Sequence, residues 1–401
     1  MSAHQERTPP GHQAAIPGRG LRLGRLFGIE IRLDSSLLII FTLIVYILGS
    51  SVFPQWHPDW QAGTTWPTAV IAGVLFFSSI LAHEMAHALV SRKFGIGVQR
   101  ITLFLFGGLA EMEEEPGEPR AEFLIALAGP ATSMFLGLFF MLVGSMLAGA
   151  DSAALLADDR ETALAGLSPM ATLLLWLGPV NLVLAIFNMV PGFPLDGGRV
   201  FRAVMWWITG DLRRATWMAS EAGRLFGWFL MIFGILQALS GALLGGLWLL
   251  MIGWFLSNAA SASYKQLVMR DLLKGIVARD LMRSHFETLT PQTRIADFID
   301  NHLLQSPQQL WPVVENEQLI GLVTLQEVQG TPTQDRATMT VGQVMRTDLG
   351  ALSLAPNADA NKALLAVSTH STPLAIVEGN RVIGLLSQAD TVKWLLLHQK
   401  Q

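Results

Sequence analysis

The residues best suited to chemistry are His83, Glu84 and His87, in the run Leu81-Ala82-His83-Glu84-Met85-Ala86-His87. Histidines four apart lie on one face of a helix, one turn from each other. Two imidazoles at that spacing can bind zinc, and the glutamate between them can act as general base on water at the metal. Zinc needs a third protein ligand and one open position. The chain has no cysteine, so neither thiolate ligands nor disulfides are available. The best third candidate is Asp196, in Asn188-Met189-Val190-Pro191-Gly192-Phe193-Pro194-Leu195-Asp196-Gly197-Gly198-Arg199. Taken alone, that stretch reads as a plain turn. Its glycines and prolines also suit a broken backbone lining a cavity at membrane depth. His4, His12 and His57 fall on predicted loops or the N-terminal tail.

The elements that must position these groups are apolar. Of 401 residues, 51% are hydrophobic and 14% charged, against about 25% charged in soluble domains. Such scarcity excludes disorder, a disulfide-rich secreted fold and a nucleic-acid surface. The net charge of -4 implies no polyanionic partner. The charge is uneven, with 25 charged residues from Lys265 onward. Earlier, apolar runs able to span a bilayer recur near 36–53, 67–93, 122–149, 170–190, 222–240 and 243–262. Arg and Lys gather at the N-terminus (Arg19, Arg22, Arg25, Arg32) and in alternate loops, at Arg92, Lys93, Arg100 and Arg120, at Arg199, Arg202, Arg213 and Arg214, and at Lys265, Arg270 and Lys274. That alternation predicts six spans with both termini and the tail cytoplasmic in a cell membrane. The expected fold class is a polytopic α-helical membrane protein with about six transmembrane helices, a re-entrant β segment and a cytoplasmic α/β tail. The expected domains are a disordered stretch 1–20, a membrane domain 21–264, a linker 265–275, and two repeats at 276–336 and 337–398.

Glu84 and the two histidines fall inside the second span, where unpartnered ionisable groups cost several kcal/mol, so the cluster marks a function. Gln99–Phe106 is rich in β-formers and too short to span. It reads as a re-entrant strand or hairpin whose edge could pair with an extended peptide, at Phe106, Gly107 and Gly108, or else as an amphipathic connector packed on the membrane surface.

At this point the residues resemble the site-2 proteases, intramembrane zinc metalloproteases. The resemblance rests on HEMAH at 83–87 and NMVPGFPLDGGR at 188–199, with Phe106–Glu111 and Ala128-Gly129-Pro130 also family-like. It implies that Asp196 joins His83 and His87 as zinc ligand, that Glu84 is the base, and that Asn188 holds substrate or stabilises the reaction. The substrates it implies are single-pass membrane proteins, for example an anti-sigma factor or another membrane-tethered regulator.

The tail repeats at an offset of 63: Met282 matches Met345, Gly321 matches Gly384, Thr324 matches Ser387 and Glu327 matches Asp390. Two copies imply one pseudo-symmetric domain. It looks like a CBS-domain pair, which implies either a homodimerisation module or a site for ATP, ADP or AMP. Ser387 and Asp390 match the family's phosphate and ribose positions, with Thr324 their counterpart in the first copy; there Glu327 departs from the Asp pattern. A CBS-regulated channel or transporter is the competing class. It calls for ionisable residues along a path and inverted repeats, and the front part presents a single cluster with metal spacing.

Overall fold

A computed structural model describes residues 20–105, 107–149, 164–350, 352–370 and 372–398. The chain divides after Lys265 into two compact units, described in turn.

The first unit opens with β1 (Gly20–Leu26) and β2 (Ile29–Asp34), an antiparallel hairpin. Phe27 and Gly28 between them have φ of 51° and 77°. Positive φ at both central residues is the type I′ turn, whose twist suits a hairpin. Composition marks this stretch only as a polar lead-in, yet Ile29, Ile31 and Leu33 alternate with charged residues, which is a strand signal.

Long apolar helices follow: α1 (Ser36–Trp56), α2 (Ala62–Lys93), α3 (Pro119–Ala148) and α4 (Pro169–Asn188). Next comes α5 (Asp196–Thr209), then two more apolar helices, α6 (Leu212–Leu239) and α7 (Leu243–Leu272). Among the described residues six helices are long and apolar enough to cross a membrane, one for each apolar run, with α6 starting at Leu212 rather than near 222. The protein is thus a multi-pass α-helical membrane protein. The amphipathic α5 falls in what reads by sequence as loop. It buries Gly197, Gly198, Arg202 and Ala203 and exposes Trp207 and Ile208.

Between α2 and α3 stand β3 (Val98–Phe104) and β4 (Gly107–Met112), the hairpin anticipated around Gln99–Phe106. Phe106 itself lies outside the described residues. β3 also pairs in parallel with β2, so the sheet order is β1-β2-β3-β4. β4 is an end strand, its outer edge without a partner strand among the described residues. Ile29, Ile31, Ile101 and Leu103 of the sheet share one core with Phe77, Ile80, Met85 and Ala88 of α2. Each large side chain so buried contributes about 1.5–3 kcal/mol, which fixes the sheet to the helix that bears the histidines.

The tail unit holds two hairpins, β5 (Leu310–Glu315) with β6 (Gln318–Thr324), and β8 (Leu374–Glu378) with β9 (Arg381–Leu386). A short β7 (Ser353–Leu354) runs parallel to β8, as Leu289 does beside Val313 in the first copy. The copies exchange contacts reciprocally. Arg283 bridges to Leu385 and Arg346 bridges to Leu322. Gly384 lies against Met282 and Gly321 against Met345, too close for a side chain at either glycine. Each pair maps onto the other at the repeat offset, so a pseudo-twofold axis relates the copies.

Candidate metal centre

His83 and His87 rise one turn apart on α2 and are 4% and 3% exposed. Asp196 opens α5, with Leu195 as the residue before the helix. A carboxylate there meets the positive end of the helix dipole. The loop can deliver it because glycines let backbones touch: a Cβ on Gly197 would strike the backbone of Met189 and Val190, and one on Gly198 that of Gly192 and Phe193. The Asp-Gly-Gly sequence is therefore a packing requirement of the turn that aims Asp196 at α2.

Asp196 Oδ2 lies 3.0 Å from His83 Nε2 and 3.3 Å from His87 Nε2, and the two nitrogens are 3.2 Å apart. Ligands about 2.0–2.1 Å from a tetrahedral zinc are separated by about 3.3 Å. The triangle therefore has the edge lengths of a zinc site. The backs of the rings support the same use. His87 Nδ1 donates to the Ile125 carbonyl at 2.6 Å. A carbonyl only accepts, so the proton sits on Nδ1 and Nε2 offers its lone pair inward. His83 Nδ1 meets Ser133 Oγ at 2.9 Å. Donor atoms converging this closely could hold a metal ion among them. Among the described residues this is the one group of His, Cys, Asp or Glu drawn together in this way.

Glu84 is half-buried, and its side chain lies against Gly108 of β4, where any Cβ would overlap it. A second glycine, Gly129 of α3, faces the two imidazoles: a Cβ there would strike Nε2 of both histidines. The Ala128-Gly129-Pro130 stretch thus acquires a reason.

Asn188 closes α4 and is half-buried. The hydrogen bonds of the cluster run to Ser133, Ile125 and Asp196 rather than to it. Asn181, on the same helix, is fully buried and donates to Leu177 O at 2.9 Å and Ser79 Oγ at 3.4 Å. Sequence reading missed Asn181, Ser133 and the ion pair Glu122–Arg202 that clamps α5 to α3. Asn181 and Ser133 were flagged only by being polar within an apolar run, and Arg202 read as one of the loop charges after the fourth span. His57 is a packing residue, stacked on Trp60 and bonded to Thr172 at 2.8 Å.

In the tail, Ser387 Oγ donates to Asp390 Oδ2 at 2.6 Å, and both line a cavity of about 450 Å³ with Arg283, Gln309 and Thr372. Thr324 makes the matching bond to Glu327 at 2.6 Å but does not line that cavity. Glu327 has reached Arg346, whereas Asp390 stops 3.6 Å from the corresponding Arg283. The extra methylene of the glutamate carries its carboxylate onto the arginine, where the aspartate falls short. Burial pushes the Glu327 carboxyl up, but the Thr324 hydroxyl and the Arg346 guanidinium outweigh it and hold the group below the usual carboxylate range.

A helix-borne HExxH within a six-helix membrane unit defines a class, the membrane-embedded zinc metallopeptidases. The model of peptidase family M50 matches residues 71–233, and that of the CBS domain matches residues 278–329. The chain is 32% identical over 378 residues to Rip3 of Mycobacterium tuberculosis, a candidate zinc metalloprotease, covering 92% of this chain and 91% of that one. It is 32% identical over 385 residues to sll0528 of Synechocystis, a candidate zinc metalloprotease too, covering 94% and 95%. A solved site-2 protease from Methanocaldococcus jannaschii is 25% identical, covering 61% of this chain and 95% of that one, with a TM-score of 0.42. The chain belongs to peptidase family M50, the site-2 proteases, and is a zinc metalloendopeptidase.

Proposed function

We propose that the protein hydrolyses peptide bonds within transmembrane segments of single-pass membrane proteins, and that His83, His87 and Asp196 hold its zinc. The observation that carries this is the triangle of two imidazole nitrogens and a carboxylate oxygen in the interior of an apolar helical unit. When bound, zinc acts as a Lewis acid that polarises the scissile carbonyl and acidifies water. Glu84 takes a proton from the attacking water and returns it to the leaving amine nitrogen. The Asn188 amide, at the mouth of the loop that bears Asp196, is the candidate donor to the oxyanion. A helical substrate hides its peptide bonds, so it must be drawn out into an extended chain. The outer edge of β4 offers backbone partners for that chain, and Gly107 and Gly108 bring it beside Glu84. On this reading a substrate such as an anti-sigma factor enters from the bilayer, and the Arg-bearing loops and tail face the cytoplasm.

The tail serves regulation on this reading, by holding ATP, ADP or AMP between its copies or by joining two chains. The cavity at Ser387 and Asp390 supports a single nucleotide site. The test uses full-length protein in detergent with a fluorogenic transmembrane peptide. Glu84→Gln should retain zinc and lose cleavage by about 10²–10⁴-fold; full activity in that variant would sink the mechanism. Thermal shift of the same protein with AMP, ADP and ATP reads the tail, and Asp390→Ala should abolish any shift.

A further inference from the structure

A crevice of about 260 Å³ opens between α6 and α7, lined by Ser220, Glu221 and Arg224 on one helix and by Ser261, Tyr264 and Lys265 on the other. Complete small-molecule sites occupy about 300–1,000 Å³, so this space suits a single polar group. Its depth can be counted from both helices. A hydrocarbon layer of about 30 Å takes about 20 helical residues. Counted back from Leu239, the crossing ends near residue 220; counted forward from Leu243, it ends near residue 262. Both counts place the crevice where acyl chains give way to headgroups. Trp217, 49% exposed beside it, is a residue type that favours this boundary.

Two features point to a ligand. Ser220 is 3% exposed, and its hydroxyl has no hydrogen-bond partner, a loss that a buried polar group bears only at a cost. Arg224 and Lys265 bring two positive charges against the one negative charge of Glu221. Glu221 Oε1 accepts from Arg224 at 2.7 Å, which steadies the guanidinium and leaves other N–H groups to donate.

We propose that this crevice holds the phosphate of an anionic phospholipid headgroup, bridging α6 and α7. The site backs onto the loop that carries Asp196. Phe193 N–H donates to Ala219 O at 3.1 Å, and Gly223 packs too closely on Phe193 for any side chain. A lipid seated here therefore braces the helix against which that loop rests. The proposal rests on α6 and α7 crossing a membrane, not on the peptidase reading.

Native mass spectrometry of the full-length protein, delipidated in detergent, tests it with dioleoylphosphatidylglycerol, dioleoylphosphatidylcholine and inorganic phosphate as probes. Phosphatidylglycerol adducts should exceed phosphatidylcholine adducts, and Arg224→Gln/Lys265→Gln should retain about tenfold less phosphatidylglycerol. Arg213→Gln/Arg214→Gln, on the same helix outside the crevice, should bind as the parent does. Ser220→Ala keeps every charge and should weaken retention about threefold, independently of whether the double variant folds. Equal retention of the two lipids, or unchanged binding by the crevice variants, overturns the proposal. So does displacement of the lipid by equimolar inorganic phosphate, which would make the site one for free phosphate.

Discussion

Replacing Gly129 by alanine probes the placement of the proposed metal ligands, His83 and His87. A Cβ at this position would lie 2.7 Å from Cδ2 of His83 and closer still to Nε2 of both histidines. Carbon contacts settle at about 3.5–4.0 Å, so the imidazoles and α3 must part by about 1 Å. Metal–ligand distances tolerate about 0.2 Å, so the displacement is about five times what the site can absorb. Losing a mere supporting contact weakens metal binding by about 10–100-fold. Displacing two ligands at once should cost at least the upper figure, about 100-fold. The assay is competition for zinc between purified full-length protein and a chelator of known affinity, with bound zinc counted by plasma mass spectrometry. Helical circular dichroism and size-exclusion elution establish that the variant is folded. Gly108→Ala supplies the contrast, since its Cβ would meet Cδ of Glu84 at 2.8 Å rather than an imidazole. It should keep zinc and lose turnover. Parent-like zinc affinity in a folded Gly129→Ala protein would refute the reasoning.

Arg202→Ala strands the Glu122 carboxylate, which is fully buried, and should cost about 3–5 kcal/mol. Its thermal midpoint should fall, and Glu122→Leu/Arg202→Met should recover most of the loss; a parent-like midpoint in the single variant would contradict the clamp. Ser133→Ala removes the partner of His83 Nδ1 and should weaken zinc binding about tenfold, read by the same chelator competition. Glu327 has a folded pKa below its unfolded value. Its contribution to stability is therefore present above the unfolded value of about 4.3 and lost as pH falls through the folded one. Glu327→Gln should lower the thermal midpoint near neutral pH and converge with the parent in acid; a gap that widens on acidification would reverse the sign.

The parts legible in the sequence are those where residue type and local spacing suffice. His83, Glu84 and His87 declare themselves because one helical turn fixes their relation. The spans declare themselves because charge is excluded from lipid. Asp196 needed more: the chain between it and His87 is long, and only the scarcity of other ligands in an apolar context singles it out. Ser133 and Ile125 stay hidden, and Gly129 shows only as part of a family-like stretch, because their roles are relations between α2 and α3. A serine, a carbonyl and a glycine carry no mark of which helix they will face. The same holds for α5. Its Gly197-Gly198 start is among the poorest of helix formers, and its position is set by the backbone contacts with Met189 and Gly192. In the tail, an offset of 63 reveals the repeat, but the difference between Glu327 and Asp390 gains meaning only once each faces its arginine.

Water drives helices together in a soluble protein, but lipid tails are as apolar as the helices and give little drive. Something else must hold the histidine-bearing helix to its neighbours. Two devices do so here. Small residues let backbones close in: a Cβ on Gly137 of α3 would sit 2.7 Å from Leu182 and 3.0 Å from Gly178 O of α4. Polar bonds then fix the register. Ser79 ties α2 to Asn181 of α4, Ser133 and Ile125 tie the histidines to α3, and Glu122 ties α3 to Arg202 of α5. Arg202 in turn lies 5.1 Å over the Phe193 ring, in the loop that aims Asp196. Each of these groups would be costly alone in hydrocarbon. Joined, they place both imidazoles and the carboxylate from three directions, so the polar groups that a membrane helix can least easily carry are the ones that hold the proposed metal site in register.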